Sequence, residues 1–140
     1  MEILVKPLYS DSKPPIKKRR ADAGWDLYAH QSYLLKPGDT IKLDCGVAIW
    51  VPDGFAGIIF PRSSWRQKGL LCQSVYDHGF TGAVEPFTTN SSNEDIQIEK
   101  GERVLQLMFM HVQLGARIRL VDKLPESDRG TAGAGSTGKI

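Results

Sequence analysis

Short stretches of alternating or uninterrupted apolar residues run along the whole chain, and none lasts beyond nine positions. They fall at Ile3–Leu8, Ser32–Leu35, Thr40–Leu43, Val47–Val51, Gly57–Phe60, Ala83–Thr89, Ile96–Ile98, Val104–Val112 and Arg117–Val121. Turn-forming groups such as Lys36-Pro37-Gly38-Asp39, Pro52-Asp53-Gly54 and Lys100-Gly101-Glu102 separate them. Many short strands divided by glycine and proline predict an all-β barrel or sandwich. Only Ser63–Lys68 reads as a helix, a turn or two opened by serines and stopped at Gly69.

Composition narrows this picture. A chain of 140 residues with 41% hydrophobic and 24% charged positions has room for one domain and excludes a fibrous repeat. Lys and Arg number 18 against 16 Asp and Glu, so a net charge of +2 gives no bulk attraction for nucleic acid. No apolar run approaches the ~18–20 residues of a membrane helix, and the opening residues carry no signal-peptide core. An intracellular protein with no membrane partner is expected. Cys45 and Cys72 form no CxxC and read as two small buried hydrophobes.

Two segments stand apart. Ser10–Arg20 is polar and proline-bearing, hence a loop; its Lys17-Lys18-Arg19-Arg20 run reads as a solvated loop first and a nuclear address second. The tail Asp128–Ile140 holds four glycines and one large apolar residue, Ile140, so it cannot anchor itself in a core.

Three polar clusters carry candidate chemistry. Pro61-Arg62-Ser63-Ser64, where a strand gives way to the short helix, fits a phosphate site and fits a serine-capped helix with a structural arginine equally well. The glycine-rich tail with Arg129, Ser136 and Thr137 fits an anion lid or a free end. The third, Val75–Gly82, places Asp77 in a turn, where a carboxylate can hold a water or bond its own backbone.

Taken in order, these clusters resemble the trimeric dUTP pyrophosphatase (dUTPase) family over nearly the whole chain. The five matching motifs are Ala23–Ala29, Pro61–Ser64, Val75–Val84, Gly101–Leu107 and Arg129–Gly138. The resemblance implies a distorted jelly-roll β-barrel with one short helix. It also implies a homotrimer with sites at subunit interfaces and a flexible glycine-rich C-terminal arm closing over one of them. We take 1–123 as the barrel and 124–140 as the arm, with Leu124-Pro125 as its rigid exit.

The implied reaction is hydrolysis of dUTP to dUMP and pyrophosphate with Mg²⁺. Asp77 matches the residue that activates the attacking water toward the α-phosphorus. Arg62, Ser63 and Ser64 match the phosphate motif, and Gln106 the glutamine ordering water and phosphate. Arg129, Gly135, Ser136 and Thr137 match the clamp on the outer phosphates. Asp26 matches an aspartate acting on the metal's water shell, with no direct protein ligand. Base and sugar selection is expected from a Leu71–Glu85 hairpin, through Leu71, Ser74, Val75, Tyr76 and Glu85, with the Phe80 ring excluding a 2′-hydroxyl.

The chain departs from the family pattern in places. Phe80 replaces tyrosine, Ser74 and Glu85 replace glycines, Ala132 replaces a tail glycine, and Ala134 replaces the phenylalanine that stacks on uracil. Two alternatives follow: a catalytically relaxed nucleotide-binding regulator, and a dCTP deaminase-like enzyme. The Asp77–Gly82 pattern is deaminase-like, but Phe87 stands where a deaminase carries its catalytic glutamate. His30 and His111 suggest no metal site, and His78 beside Asp77 reads as a solvent-facing turn residue first and a substrate contact second. Trp25, Trp50 and Trp65 are expected to pack the core or subunit contacts.

Overall fold

The longest alternating segment becomes the spine of the molecule. In the computed structural model, which describes residues 1–135, 137 and 138, β11 (Arg103–His111) pairs with β6 (Phe55–Pro61) on one side. Its other side takes β2 (Trp25–Tyr28), and β8 (Ser74–Tyr76) adds to the far edge of β6. A second sheet orders β4 (Thr40–Lys42), β9 (Phe87–Asn90) and β7 (Leu70–Cys72). Two ribbons complete the barrel: β1 (Leu4–Pro7) with β5 (Val47–Trp50), and β3 (Tyr33–Leu35) with β10 (Ile96–Ile98). Every pairing is antiparallel, and the fold is an all-β, jelly-roll-like barrel with one short helix.

The alternation fixes which side of each strand is buried. In β11, Leu105 and Leu107 enter the core while Gln106 faces outward. A register shift between Arg103 and Leu105 buries Val104 and Leu105 in succession and re-aims Arg103 away from them, as a β-bulge does. Leu27, Leu35, Val47 and Ile59 meet these residues from the other strands, and Leu43 and Val84 from the segments between strands.

The expected strands form with shifted ends, and three corrections are needed. Strand β2 lies where none was expected, and β7 and β8 divide the first arm of the expected Leu71–Glu85 hairpin. Within Ala83–Thr89 only the last three residues join β9, because Pro86 has no N–H to give a ladder. Arg117–Val121 forms no strand: Ile118 and Leu120 alternate but stand 97% and 94% exposed, with no sheet edge of their own subunit against them.

The Leu71–Glu85 segment is not a self-paired hairpin. β7 pairs with β9 and β8 with β6, while the return arm bonds β5 through the N–H groups of Val51 and Ile49 to the carbonyls of Phe80 and Gly82. The helix α1 spans Ser63–Gln67, one residue shorter than expected, and Gly69 with φ +98° ends it. Packing stops near Val112, whose N–H bonds the Gly54 carbonyl. Residues 113–123, assigned above to the barrel, stand exposed outside it in the single chain.

Candidate active site

Gln106 occupies the centre of the site because of strand register. On β11 it lies opposite Asp26 of β2 on one side and Phe60 of β6 on the other. Cross-strand partners in an antiparallel ladder share a face, so the three side chains project together. Its amide nitrogen donates to the Pro61 carbonyl at 3.1 Å, which fixes the amide orientation and sets Oε1 beside Gly24. Gly24 makes this approach possible. A Cβ there would stand 3.0 Å from Met108 Cγ and 3.3 Å from Gln106 Oε1.

Asp26 holds two arginines. Its Oδ1 forms an ion pair with Arg62 Nε at 3.1 Å, and its Oδ2 accepts from Arg103 Nη1 at 2.9 Å. Arg62 has a second anchor, Nη1 to the Arg103 carbonyl at 3.2 Å, and Trp65 Nε1 donates to the same oxygen at 3.0 Å. The bulge at Arg103 therefore places a guanidinium and a carbonyl on the same side of the sheet. One carboxylate sets the direction of both cations, and a cation held this way presents its remaining N–H groups to an anion.

Ser63 and Ser64 do not cap the helix. The N-cap position is Arg62, with no side-chain capping bond, so the serine-cap reading of this cluster is set aside. Both serines are exposed. Two cavities flank the cluster. One of about 620 Å³ is lined by Phe60, Ser63, Arg66, Leu71, Phe87 and Gln106, among others. The other, about 360 Å³, is bounded by Lys18, Arg19, Asp22, Gly24, Asp26, Arg62 and Gln106.

Asp77 lies elsewhere. It follows β8 at the tip of a turn closed by the Phe80 N–H on its own carbonyl, and it is exposed. Register puts Tyr76 opposite Gly57, so Asp77 is level with Ala56, six residues before Arg62. At ~3.3 Å per residue that separates them by roughly 20 Å within one subunit. Among the described residues, neither cavity includes Asp77.

Around Asp77 the turn has its own order. The Tyr76 and Phe80 rings pack with centroids 4.7 Å apart, and Phe80 lies over Gly82, where a Cβ would meet Cζ at 2.7 Å. Burial pushes the Tyr76 phenol up to about 12. Ser74 is half-buried, whereas Val75 and Glu85 are exposed. Val75 exposes a large apolar face beside this turn, and Leu71 and Phe87 do so at the larger cavity.

The arm does not reach either group. Arg129 turns back on its own chain, donating to the carbonyls of Ala132 at 2.8 Å and Gly133 at 3.3 Å. Gly135 takes a left-handed φ of +85°, Ala134 and Thr137 are exposed, and Ser136 lies outside the described residues. Three residues border the site without a site role expected from sequence: Arg103, and Lys18 and Arg19 of the basic run. Arg103 stood within a recognised motif, and only the bulge reveals where it points.

The family model for dUTPase matches residues 11–138. Deoxyuridine 5'-triphosphate nucleotidohydrolase of Kluyveromyces lactis is 37% identical over 132 residues, covering 93% of this chain and 89% of the relative. Its counterpart in Corynebacterium diphtheriae is 36% identical over 129 residues, covering 89% and 84%. Among solved structures, Staphylococcus bacteriophage 80alpha dUTPase with dUPNHPP superposes with a TM-score of 0.88 at 23% identity over 99% of each chain. A dUTPase of phage phi11 of S. aureus, described with a structural Mg(II) ion, has a TM-score of 0.81 at 18% identity, covering 90% of this chain and all of that one.

Proposed function

This chain belongs to the dUTPase family, and we propose how its own residues divide the work of hydrolysing dUTP to dUMP and pyrophosphate. The observation that carries the reading is the paired set of Arg62 and Arg103 on Asp26, with Gln106 and Ser63 beside it. Oriented guanidiniums, an amide and a hydroxyl at one sheet end suit the charge that develops on a phosphate under attack.

Arg62, Ser63 and Ser64 bind the α- and β-phosphates in this reading, and Gln106 Oε1 orients water. Asp77 takes the proton of the attacking water as it adds to the α-phosphorus, and pyrophosphate leaves. An exposed carboxylate at a turn tip is open to water, which supports the role of base. The roughly 20 Å between Asp77 and Arg62 means that one subunit cannot supply both. A second copy must bring its turn to the first copy's phosphate cluster, and a closed homotrimer does this three times. Exposed Leu71, Val75 and Phe87 give such a contact apolar surface to bury.

Phe80 stands against the deoxyribose, with its position set by Gly82 and Tyr76. Leu71, Ser74, Val75, Tyr76 and Glu85 frame the uracil. The exposed arm brings Arg129, Gly135, Ser136 and Thr137 over a site. Magnesium would be held through the substrate phosphates and its own waters, with Asp26 the carboxylate that shares a cavity with Arg62 and Gln106. Bound there, it neutralises triphosphate charge. Each Asp26 oxygen retains a second lone pair for one of its waters. Inside a cell is the proposed setting, where Cys45 and Cys72 persist as buried free thiols.

The test is product analysis with Mg²⁺ and dUTP, dCTP or UTP. Pyrophosphate from dUTP alone supports the reading. Ammonia from dCTP would identify a deaminase, and no product a nucleotide-binding regulator. Asp77→Asn should abolish turnover and retain nucleotide binding; full activity in that variant overturns the role of Asp77.

A further inference from the structure

The basic run Lys17–Arg20 is not a free loop. Ile16 forms a bridge with Asp26, its N–H donating to the Asp26 carbonyl at 3.1 Å, so the run starts one residue from the arginine-binding aspartate. Lys17 is drawn aside, with Nζ 4.0 Å from the centre of the Trp25 ring. The following turn is closed at both ends: the Arg19 N–H donates to the Asp22 carboxylate and the Asp22 N–H to the Arg19 carbonyl, each at 3.1 Å. Lys18 and Arg19 then form one wall of the 360 Å³ cavity whose other wall is Asp26, Arg62 and Gln106.

Charge decides what this cavity takes. The Asp26 carboxylate is already shared by Arg62 and Arg103. Lys18 and Arg19 make no ion pair among the described residues, and Asp22 spends its carboxylate on a backbone N–H. The cavity lining therefore keeps a net positive charge, with Lys18, Arg19 and Arg62 against Asp22 and Asp26, next to the residues assigned to the α- and β-phosphates. We infer that Lys18 and Arg19 form a subsite for the terminal phosphate of the substrate, and hence for departing pyrophosphate. The inference rests on the reading of Arg62 and Gln106 given above. The single phosphate of dUMP occupies the α position and does not extend to a terminal subsite, so the subsite favours triphosphate and pyrophosphate over the nucleotide product. A nuclear address fits the geometry less well, because Ile16 and Lys17 are fixed against β2.

The experiment uses the full chain in its assembled state. Lys18→Gln/Arg19→Gln should raise KM for dUTP about tenfold and weaken inhibition by pyrophosphate about tenfold, with kcat within about twofold. Affinity for dUMP should stay unchanged, Lys18→Arg should restore KM, and Arg20→Gln should behave as wild type. If the double variant fails to fold, Lys18→Gln alone carries the test, since the turn is made by backbone and Asp22.

Direct titration of pyrophosphate, without turnover, separates this inference from the hydrolase reading. Lys18-dependent pyrophosphate binding by a chain that does not cleave dUTP supports the subsite and removes the hydrolase. Normal turnover with unchanged KM and pyrophosphate inhibition in the variants overturns the subsite alone. The same result joined to loss of nuclear accumulation of a tagged chain would assign the run to an address.

Discussion

Replacing Asp26 by asparagine keeps the side chain's shape and removes the charge that two arginines share. One guanidinium would then face an amide N–H₂ in place of an acceptor oxygen, and the pair would repel with nothing between them. Breaking a fully buried ion pair costs about 3–5 kcal/mol. Here the Arg62 and Arg103 side chains are 32% and 22% exposed, so water screens part of the loss. About 2 kcal/mol is expected after that discount. At roughly 3–5 °C per kcal/mol for a chain of this size, Tm should fall by about 6–10 °C, measured by calorimetry at one protein concentration.

Activity should fall further than stability suggests. Arg62 keeps its bond to the Arg103 carbonyl but loses the partner that sets its other end. A displacement of ~1 Å in a phosphate-binding group costs on the order of a hundredfold in kcat. A double-mutant cycle with Arg103→Gln adds a sharper demand. With one guanidinium removed the repulsion vanishes, so the two changes should couple by ~1–2 kcal/mol in Tm-derived stability. An Asp26→Asn protein that melts within about 1 °C of wild type and turns over dUTP within twofold would refute the reasoning, because both effects come from the same carboxylate.

Three more expectations follow from the turn, the arm and the core. Gly82→Ala, whose new methyl would sit 2.7 Å from Phe80 Cζ, should swing the ring aside; discrimination of dUTP against UTP should drop about tenfold with Tm nearly unchanged, and intact discrimination would remove Phe80 from sugar selection. Ala134→Phe should raise kcat/KM by about five- to a hundredfold through the ~1–3 kcal/mol of stacking now missing, and unchanged kinetics would mean that the arm does not cover the base. The Tyr76 phenol, held up to about 12 by burial, stabilises the folded state fully below its ordinary value of 10.0, and the contribution is lost as pH rises from there toward 12. Native-state absorbance at 295 nm should therefore show Tyr76 ionising after exposed tyrosines, and a single step of all four near pH 10 would contradict the burial.

What the sequence discloses depends on whether a signal is local. Val47–Trp50 and Ile96–Ile98 were legible because a buried face and flanking turn residues mark a strand wherever it pairs. β7 and β8 were hidden because Leu70–Tyr76 runs on without glycine or proline, although its two halves join different sheets across Gln73. The same split is why the expected hairpin does not pair with itself. Ile118 and Leu120 show the reverse: a correct strand pattern with no edge for it inside one subunit. At the site, the motifs named Asp26, Arg62 and Gln106, but spacing along the chain says nothing about which charges meet. That Arg103 shares Asp26 depends on a bulge between β2 and β11, and that Lys18 borders the same cavity depends on a bridge at Ile16.

The position of the unpaired arm also orders events on the ribosome. The last packed strand ends at His111, and the exposed apolar pair Ile118 and Leu120 lies beyond it. At about 5–20 residues per second, the stretch from 112 to 138 takes roughly one to five seconds to make. Every strand of the barrel has thus been translated before Ile118 and Leu120, so these two adhesive side chains spend less time near other unfinished chains than Leu71, Val75 and Phe87 do.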